Sequence, residues 1–78
     1  MTYDYSKADE AVLALLYLNL YEAPVESRAW KSLPWECLDR LFERGLIANP
    51  RTKAKSVAVT AEGVAACKDA FSRHFGAT

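Results

Sequence analysis

The stretch from Ala8 to Tyr21 constrains this chain more than any other. On a helix, Ala8, Val12, Leu15, Leu16 and Asn19 fall on one side, and Ala11, Leu13, Tyr17, Leu18, Leu20 and Tyr21 cover most of the remainder. A helix apolar nearly all round is normally buried on more than one side. The 78 residues make a single domain, residues 1–78, which buries only about 60–65% of the surface its unfolded chain exposes. Its stability is expected at about 4–12 kcal/mol. So few layers leave part of the first helix uncovered, and the missing layer is expected to be a second subunit. With 51% hydrophobic residues, the chain stands at the upper edge of the range for soluble domains, which points the same way.

Local signals divide the chain into elements. Ser6 is the expected N-cap of the first helix, with Asp9 and Glu10 in the first turn where the helix dipole favours negative charge. The helix is expected to run to about Tyr21, because Pro24 breaks any helix that reaches it. Arg28–Ala29–Trp30–Lys31 reads as a short edge strand. Pro34 suits the first turn of a second helix, with Ser32 or Leu33 before it. Trp35, Leu38, Leu41 and Phe42 mark one face of that helix. Gly45 closes it in the left-handed conformation, with Leu46 as the accompanying hydrophobic contact.

Asn49–Pro50–Arg51–Thr52 carries turn chemistry. It separates Leu46–Ile47–Ala48 from the β-branched Ser56–Val57–Ala58–Val59–Thr60, and the two read as a β-hairpin with a long basic tip. Thr60 is the expected cap of a last helix, with Glu62 in its first turn and Val64, Cys67, Phe71 and Phe75 along one stripe. Gly76 ends it. The fold class expected is α+β, mainly helical: a small winged-helix-like domain of long N-terminal helix, mid-chain helix, β-hairpin wing and C-terminal helix.

The segment Leu38-Asp-Arg-Leu-Phe-Glu-Arg-Gly-Leu-Ile47, the basic hairpin and Val59-Thr-Ala-Glu-Gly63 together resemble the second half of a winged-helix domain. Bacterial repressors of the MarR and PadR kind share this order, with L-T-x-x-G where this chain has V-T-x-x-G. The resemblance covers about Trp35–Phe75. It implies a wing that grips DNA and a recognition helix before it. The whole chain also resembles a family of small bacterial proteins of unknown function through its strings Arg28-Ala-Trp-Lys31 and Lys53-Ala-Lys-Ser56, a likeness that implies no activity. One departure concerns the helix-turn-helix: only about a dozen residues, 22–33, separate the first helix from the would-be recognition helix, and they contain Pro24 and a β-like string. The positioning helix is expected to be degenerate or absent.

Charge is balanced overall, with 10 basic and 10 acidic residues, but residues 1–27 carry a net −4 and residues 28–55 a net +4. Such asymmetry hints at a polar partner for one face. Two readings are open. In the first, a homodimer binds double-stranded DNA through phosphate contacts from Arg40, Arg44, Arg51, Lys53 and Lys55. Against it stand Glu36, Asp39 and Glu43 on the exposed positions of the same helix. In the second, the scaffold serves protein interaction or assembly, using an aromatic set of Tyr3, Tyr5, Tyr17, Tyr21, Trp30 and Trp35, residue types typical of interface anchors. The dimer contact is expected from Leu13, Tyr17, Leu20, Tyr21, Phe71 and Phe75 on the first and last helices.

Catalysis is not expected. His74 is the sole histidine and reads as a solvated helix-end residue, and no nucleophile–base grouping or phosphate loop can be assembled. Cys37 and Cys67 lack metal-ligand or redox spacing and read as small hydrophobes on helical stripes. No cofactor and no metal are expected. The acidic N-terminus lacks the basic start of a secretory signal, and the apolar run stops at Asn19, short of the ~20 residues a membrane span needs. A cytoplasmic location is the default.

Overall fold

The computed structural model describes residues 4–22 and 26–76. Along the chain come α1 (Tyr5–Asn19), β1 (Tyr21–Glu22), β2 (Ser27–Trp30), α2 (Trp35–Glu43), β3 (Ser56–Val59) and α3 (Ala61–Phe75). The fold is α+β and mainly helical, with the helix, β-pair and helix of a winged-like arrangement, as the sequence pattern predicts. Among the described residues, no helix lies between α1 and α2.

The start of α1 lies two residues earlier than expected. Asp4, not Ser6, is the N-cap, and its Oδ1 accepts hydrogen bonds from the backbone N–H of Ser6 at 2.9 Å and Lys7 at 3.2 Å. A carboxylate accepts from the free N–H groups of the first turn at least as well as a hydroxyl does. Asp9 and Glu10 therefore stand beyond the first turn, away from the dipole's positive end. The helix also stops at Asn19 rather than Tyr21. Leu20 is extended, with φ −67° and ψ 134°, and Tyr21 and Glu22 pair with Arg28 and Ser27 across an antiparallel ladder. Pairing with the next strand along the chain takes Tyr21 from the helix; Pro24, the expected breaker, lies outside the described residues.

The strand read as an edge is instead the middle of a three-stranded antiparallel sheet ordered β1-β2-β3. Ser27, Arg28, Ala29 and Trp30 face Val59, Ala58, Val57 and Ser56 in turn. Ala29, Val57 and Val59 point inward and are buried. A four-residue strand with mixed polarity carries no local mark of centrality; its neighbours decide it.

Pro34 is the N-cap of α2 and makes no side-chain cap bond, one position outside the first turn in which it was expected. Beyond the other end, Gly45 has φ +77°. Its N–H donates to Phe42 O, and the N–H of Leu46 to Leu41 O, both at 3.0 Å, the paired bonds of a Schellman stop. The expected hairpin is narrow: Ile47 bridges Val59, Ala48 N–H donates to Ala58 O at 2.9 Å, and Thr60 N–H to Leu46 O at 3.0 Å. Thr60 caps α3 as expected, its Oγ1 accepting from Gly63 N–H at 2.9 Å.

The core lies between the helices and the inner face of the sheet. Leu16, Leu38, Leu41, Ile47, Val57 and Cys67 are fully buried there. Most of the all-round apolar surface of α1 is covered within one chain: Val12, Leu13, Ala14 and Leu16 are buried, and Ala11, Leu15 and Leu18 remain as an exposed ridge. Leu13, expected in a dimer contact, is only 3% exposed and offers no surface to a partner. The opposite face of the sheet carries the exposed rings of Tyr21 and Trp30. Tyr21, Arg28, Trp30, Ser56 and Ala58 share that outer face by strand alternation and register.

Candidate binding surfaces

The five basic residues assigned to nucleic acid do not form one face. Arg40, treated from the sequence as exposed, turns toward α1: its Nε donates to Asp9 Oδ2 at 2.7 Å and its Nη2 to Asp9 Oδ1 at 2.8 Å. Its guanidinium also lies 4.9 Å from the Tyr5 ring centroid. Asp9 is 4% exposed. Burial alone would raise its carboxyl pKa, but the Arg40 hydrogen bonds, the Cys37 thiol and the charges of Arg40 and Arg44 together hold it below the usual aspartate value. Burial, with Asp9 beside it, pushes the Cys37 thiol up.

Arg51 is committed on the other flank of α2. Its Nη2 donates to Asp39 Oδ2 at 2.6 Å and its Nε to Oδ1 at 3.3 Å, and its guanidinium lies 4.9 Å from the Trp35 ring centroid. The hydrogen bonds and charge of Arg51 lower the Asp39 carboxyl. With ~100° per residue around a helix, Trp35 and Asp39 share one flank, while Arg40 and Arg44 share the other. Glu36 and Glu43 stand exposed between them. Arg44, Lys53 and Lys55 are exposed, the two lysines in the loop before β3.

A residue that the sequence did not single out organises this loop. Lys31 Nζ donates to Pro50 O at 2.6 Å, Thr52 O at 3.0 Å and Thr52 Oγ1 at 3.1 Å, which uses all three ammonium protons. It also lies 5.8 Å from the Trp35 ring centroid. Only the RAWK string contains it, and a lysine at the end of a strand looks like a solvated charge until the loop folds over it.

Much of the charge asymmetry read from the sequence is satisfied inside the chain. Asp9 pairs with Arg40 and Glu26 with Arg28. Glu10 accepts from Arg73 Nη1 at 2.5 Å and Nη2 at 2.6 Å and meets His74 Nε2 at 2.9 Å. The Arg73 and His74 hydrogen bonds bring the Glu10 carboxyl down to about 2. His74 is thus a surface contact joining α3 to α1.

The aromatic residues divide between two regions. Tyr17 and Phe71 are half-buried against each other with centroids 5.0 Å apart, and Phe75 adjoins Phe71 at 5.7 Å. These rings, with half-buried Leu20, knit α1 to α3 within the chain, and of the helical dimer set Phe75 stays well exposed at 55%. Tyr21 stands elsewhere, 6.1 Å from Trp30 on the outer sheet face. There Trp30 is 51% and Tyr21 38% exposed. Tyr3, counted with the aromatic set, lies outside the described residues. Both cysteines are free and buried, and burial takes the Cys67 thiol up to about 11.

Among the described residues there is no pocket, no group of three His, Cys, Asp or Glu side chains placed to hold a metal ion, and no helix long and apolar enough to cross a membrane. In comparison with known proteins, the domain of unknown function DUF6429 matches residues 4–77. The chain is also 47% identical over 75 residues to a protein of Sinorhizobium fredii (strain NBRC 101917 / NGR234) named "Uncharacterized protein y4hR", an alignment spanning 96% of this chain and 97% of that one. No solved structure matches the chain.

Proposed function

The chain belongs to the DUF6429 family, and we propose that it is a non-catalytic binding module that works through protein contacts, not through a grip on duplex DNA. The observation that carries this reading is the commitment of Arg40 to Asp9 and of Arg51 to Asp39. A DNA-reading helix presents donors to phosphates and base edges. Here α2 presents Glu36 and Glu43 between its two flanks, with Asp39 already paired to Arg51, and like charge opposite phosphate is repulsive. The exposed surface is instead rich in the residue types that anchor protein interfaces, Trp30, Trp35 and Tyr21 among them.

The resemblance of the wing segment to MarR- and PadR-type repressors supports the competing DNA reading, as do the exposed Arg44, Lys53 and Lys55. The two are separated by titrating mixed-sequence duplex DNA across a salt series. A protein-contact module shows no more than the weak, sequence-independent affinity of about 10⁻⁴ M or poorer that any basic loop gives. Tight binding that falls steeply with salt and disappears in the triple variant R51A/K53A/K55A would overturn the proposal in favour of DNA.

A further inference from the structure

The outward face of α1 differs from those of the other two helices. α2 turns Glu36, Glu43 and Arg44 to water, and α3 turns Glu62, Lys68, Asp69 and Arg73. Between Ala8 and Asn19 the outward face of α1 carries no charge. Ala11, Leu15, Leu18 and Asn19 are exposed there, Leu18 at 63%, and Ala8 is half-buried beside them. The charged residues of that stretch, Asp9 and Glu10, turn instead to Arg40 of α2 and Arg73 of α3. The solvent side of a surface helix is normally polar. Ala8, Ala11, Leu15 and Leu18 follow one another at steps of 3, 4 and 3 residues, the spacing of a coiled-coil seam.

Size is ordered along that seam, small in its N-terminal half and large in its C-terminal half. Two such helices lying parallel would set alanine on alanine, leaving a gap, and leucine on leucine. Lying antiparallel, they set Leu18 of each copy over Ala8 of the other, and Leu15 over Ala11. Every one of the four layers then joins a large side chain to a small one, the condition for interdigitated packing. The seam is complementary to itself in that arrangement, which a two-fold axis generates. We propose that α1 pairs with α1 of a second copy of the chain, antiparallel, about a two-fold axis at the level of residue 13. The proposal deepens the protein-contact reading and rests on it.

Charge favours the same direction. Lys7 stands in the first turn of α1, where the positive end of the helix dipole disfavours a cation. Among the described residues it has no ion-pair partner. The last turn, at the negative end, holds no basic residue. Antiparallel pairing brings Lys7 of each copy level with Asn19 of the other, so that each cation meets the end carbonyls of the opposing helix. A parallel pair would set the two lysines side by side. Four layers on a 15-residue helix make a small interface, in the class of weak, reversible contacts.

Sedimentation equilibrium on the full chain tests the pairing, and cysteine cross-linking tests its direction. The wild type is expected to dimerise by about 100 μM. Leu18→Lys sets a charge into two layers at once, beside Lys7 of the other copy, and should weaken the dimer at least about 10-fold. Its urea midpoint should stay unchanged, because Leu18 is well exposed in the single chain. Trp30→Ser, on the outer face of the sheet, leaves the dimer as it was. For direction, Ala8→Cys and Leu18→Cys variants are oxidised separately and as a mixture. The antiparallel seam cross-links only in the mixture, because like positions lie ten residues, about 15 Å, apart along the axis, beyond the reach of a disulfide. Cys37 and Cys67 are buried and stay out of the reaction. Cross-linking of each variant with itself would show a parallel pair and overturn the proposal. So would a wild type that stays monomeric up to about 1 mM, or a dimer that survives Leu18→Lys. Each of these leaves the protein-contact reading standing, which only tight, salt-sensitive binding in the DNA titration removes.

Discussion

At Gly45 the backbone stands at φ +77° with nothing within 4 Å of where a Cβ would project, whereas at Gly63 a Cβ would lie 1.8 Å from Leu46 O. The first glycine answers a torsional demand in open space, the second a lack of room between α3 and the chain leaving α2. Gly45→Ala is therefore expected to lose about 1–2 kcal/mol, the strain of a left-handed residue with a side chain. Gly63→Ala has backbone in its way, which cannot swing aside as a flexible side chain would, and its loss should be at least about 3 kcal/mol. Urea unfolding of the two variants side by side checks the order, and an equal loss would contradict it. Both roles were legible in the sequence, because a glycine after a helical stripe and a glycine in V-T-x-x-G each carry a local signature. Asp9 was not legible. Its place in the sequence looks like that of an exposed first-turn acid, and only the approach of α2 to α1 makes it the buried partner of Arg40.

Among elements, the loop between Ala48 and Ser56 shows how a segment without regular structure is held. It is fastened by one ammonium from the end of β2: Lys31 satisfies Pro50 O, Thr52 O and Thr52 Oγ1, while Arg51 lies over Trp35 and bonds to Asp39. Replacing Lys31 by Met keeps the aliphatic stem and removes all three bonds. The expected result is faster hydrogen exchange across residues 51–55 with little change in the helices, and a stability loss of about 1 kcal/mol, chiefly from the part-buried Pro50 carbonyl, because Thr52 is open to water. Unchanged exchange in that loop would show that Arg51 and Trp35 hold it alone. The same scale explains the misplaced strand. Alternation in Arg28–Lys31 predicts an extended segment, but whether it lies at an edge depends on β1, whose Tyr21 reads as the end of an apolar helix and whose Glu22 reads as the start of a connection.

For the whole molecule, charge is organised as internal bridging between distant segments. Asp9–Arg40 joins α1 to α2, and Glu10–Arg73 joins α1 to α3. Removing one partner of a buried pair leaves the other uncompensated, which typically loses 3–5 kcal/mol. The Arg40 side chain is 31% exposed, so water screens part of the deficit, and Asp9→Ala should lose about 2–3 kcal/mol, a large share of a total near 4–12 kcal/mol. The double variant D9L/R40M, which removes both charges and keeps the volume, should regain most of that. The sign of the pH effect comes from the lowered Asp9 carboxyl. Its contribution is complete above the unfolded aspartate value of about 3.9 and disappears as pH falls through the lower folded value. Urea midpoints measured from pH 7 down to pH 2 should converge for wild type and Asp9→Ala; a constant gap between them would mean that Asp9 acts by packing and not by charge.

The helices, their stops at Gly45 and Gly76, the extended Ser56–Val59 segment and the α+β class were all written in local stretches of the chain, because capping, left-handed glycine and hydrophobic period are properties of a few neighbouring residues. The centrality of β2, the burial of Leu13, the pairing of Asp9 with Arg40 and of Asp39 with Arg51, and the work of Lys31 came from tertiary packing alone. Each of these depends on which segments, far apart in the chain, come to lie against one another. An arginine on a helix reads the same whether it faces solvent or a buried carboxylate, so the division of the basic residues between two flanks of α2 could not appear before the fold did.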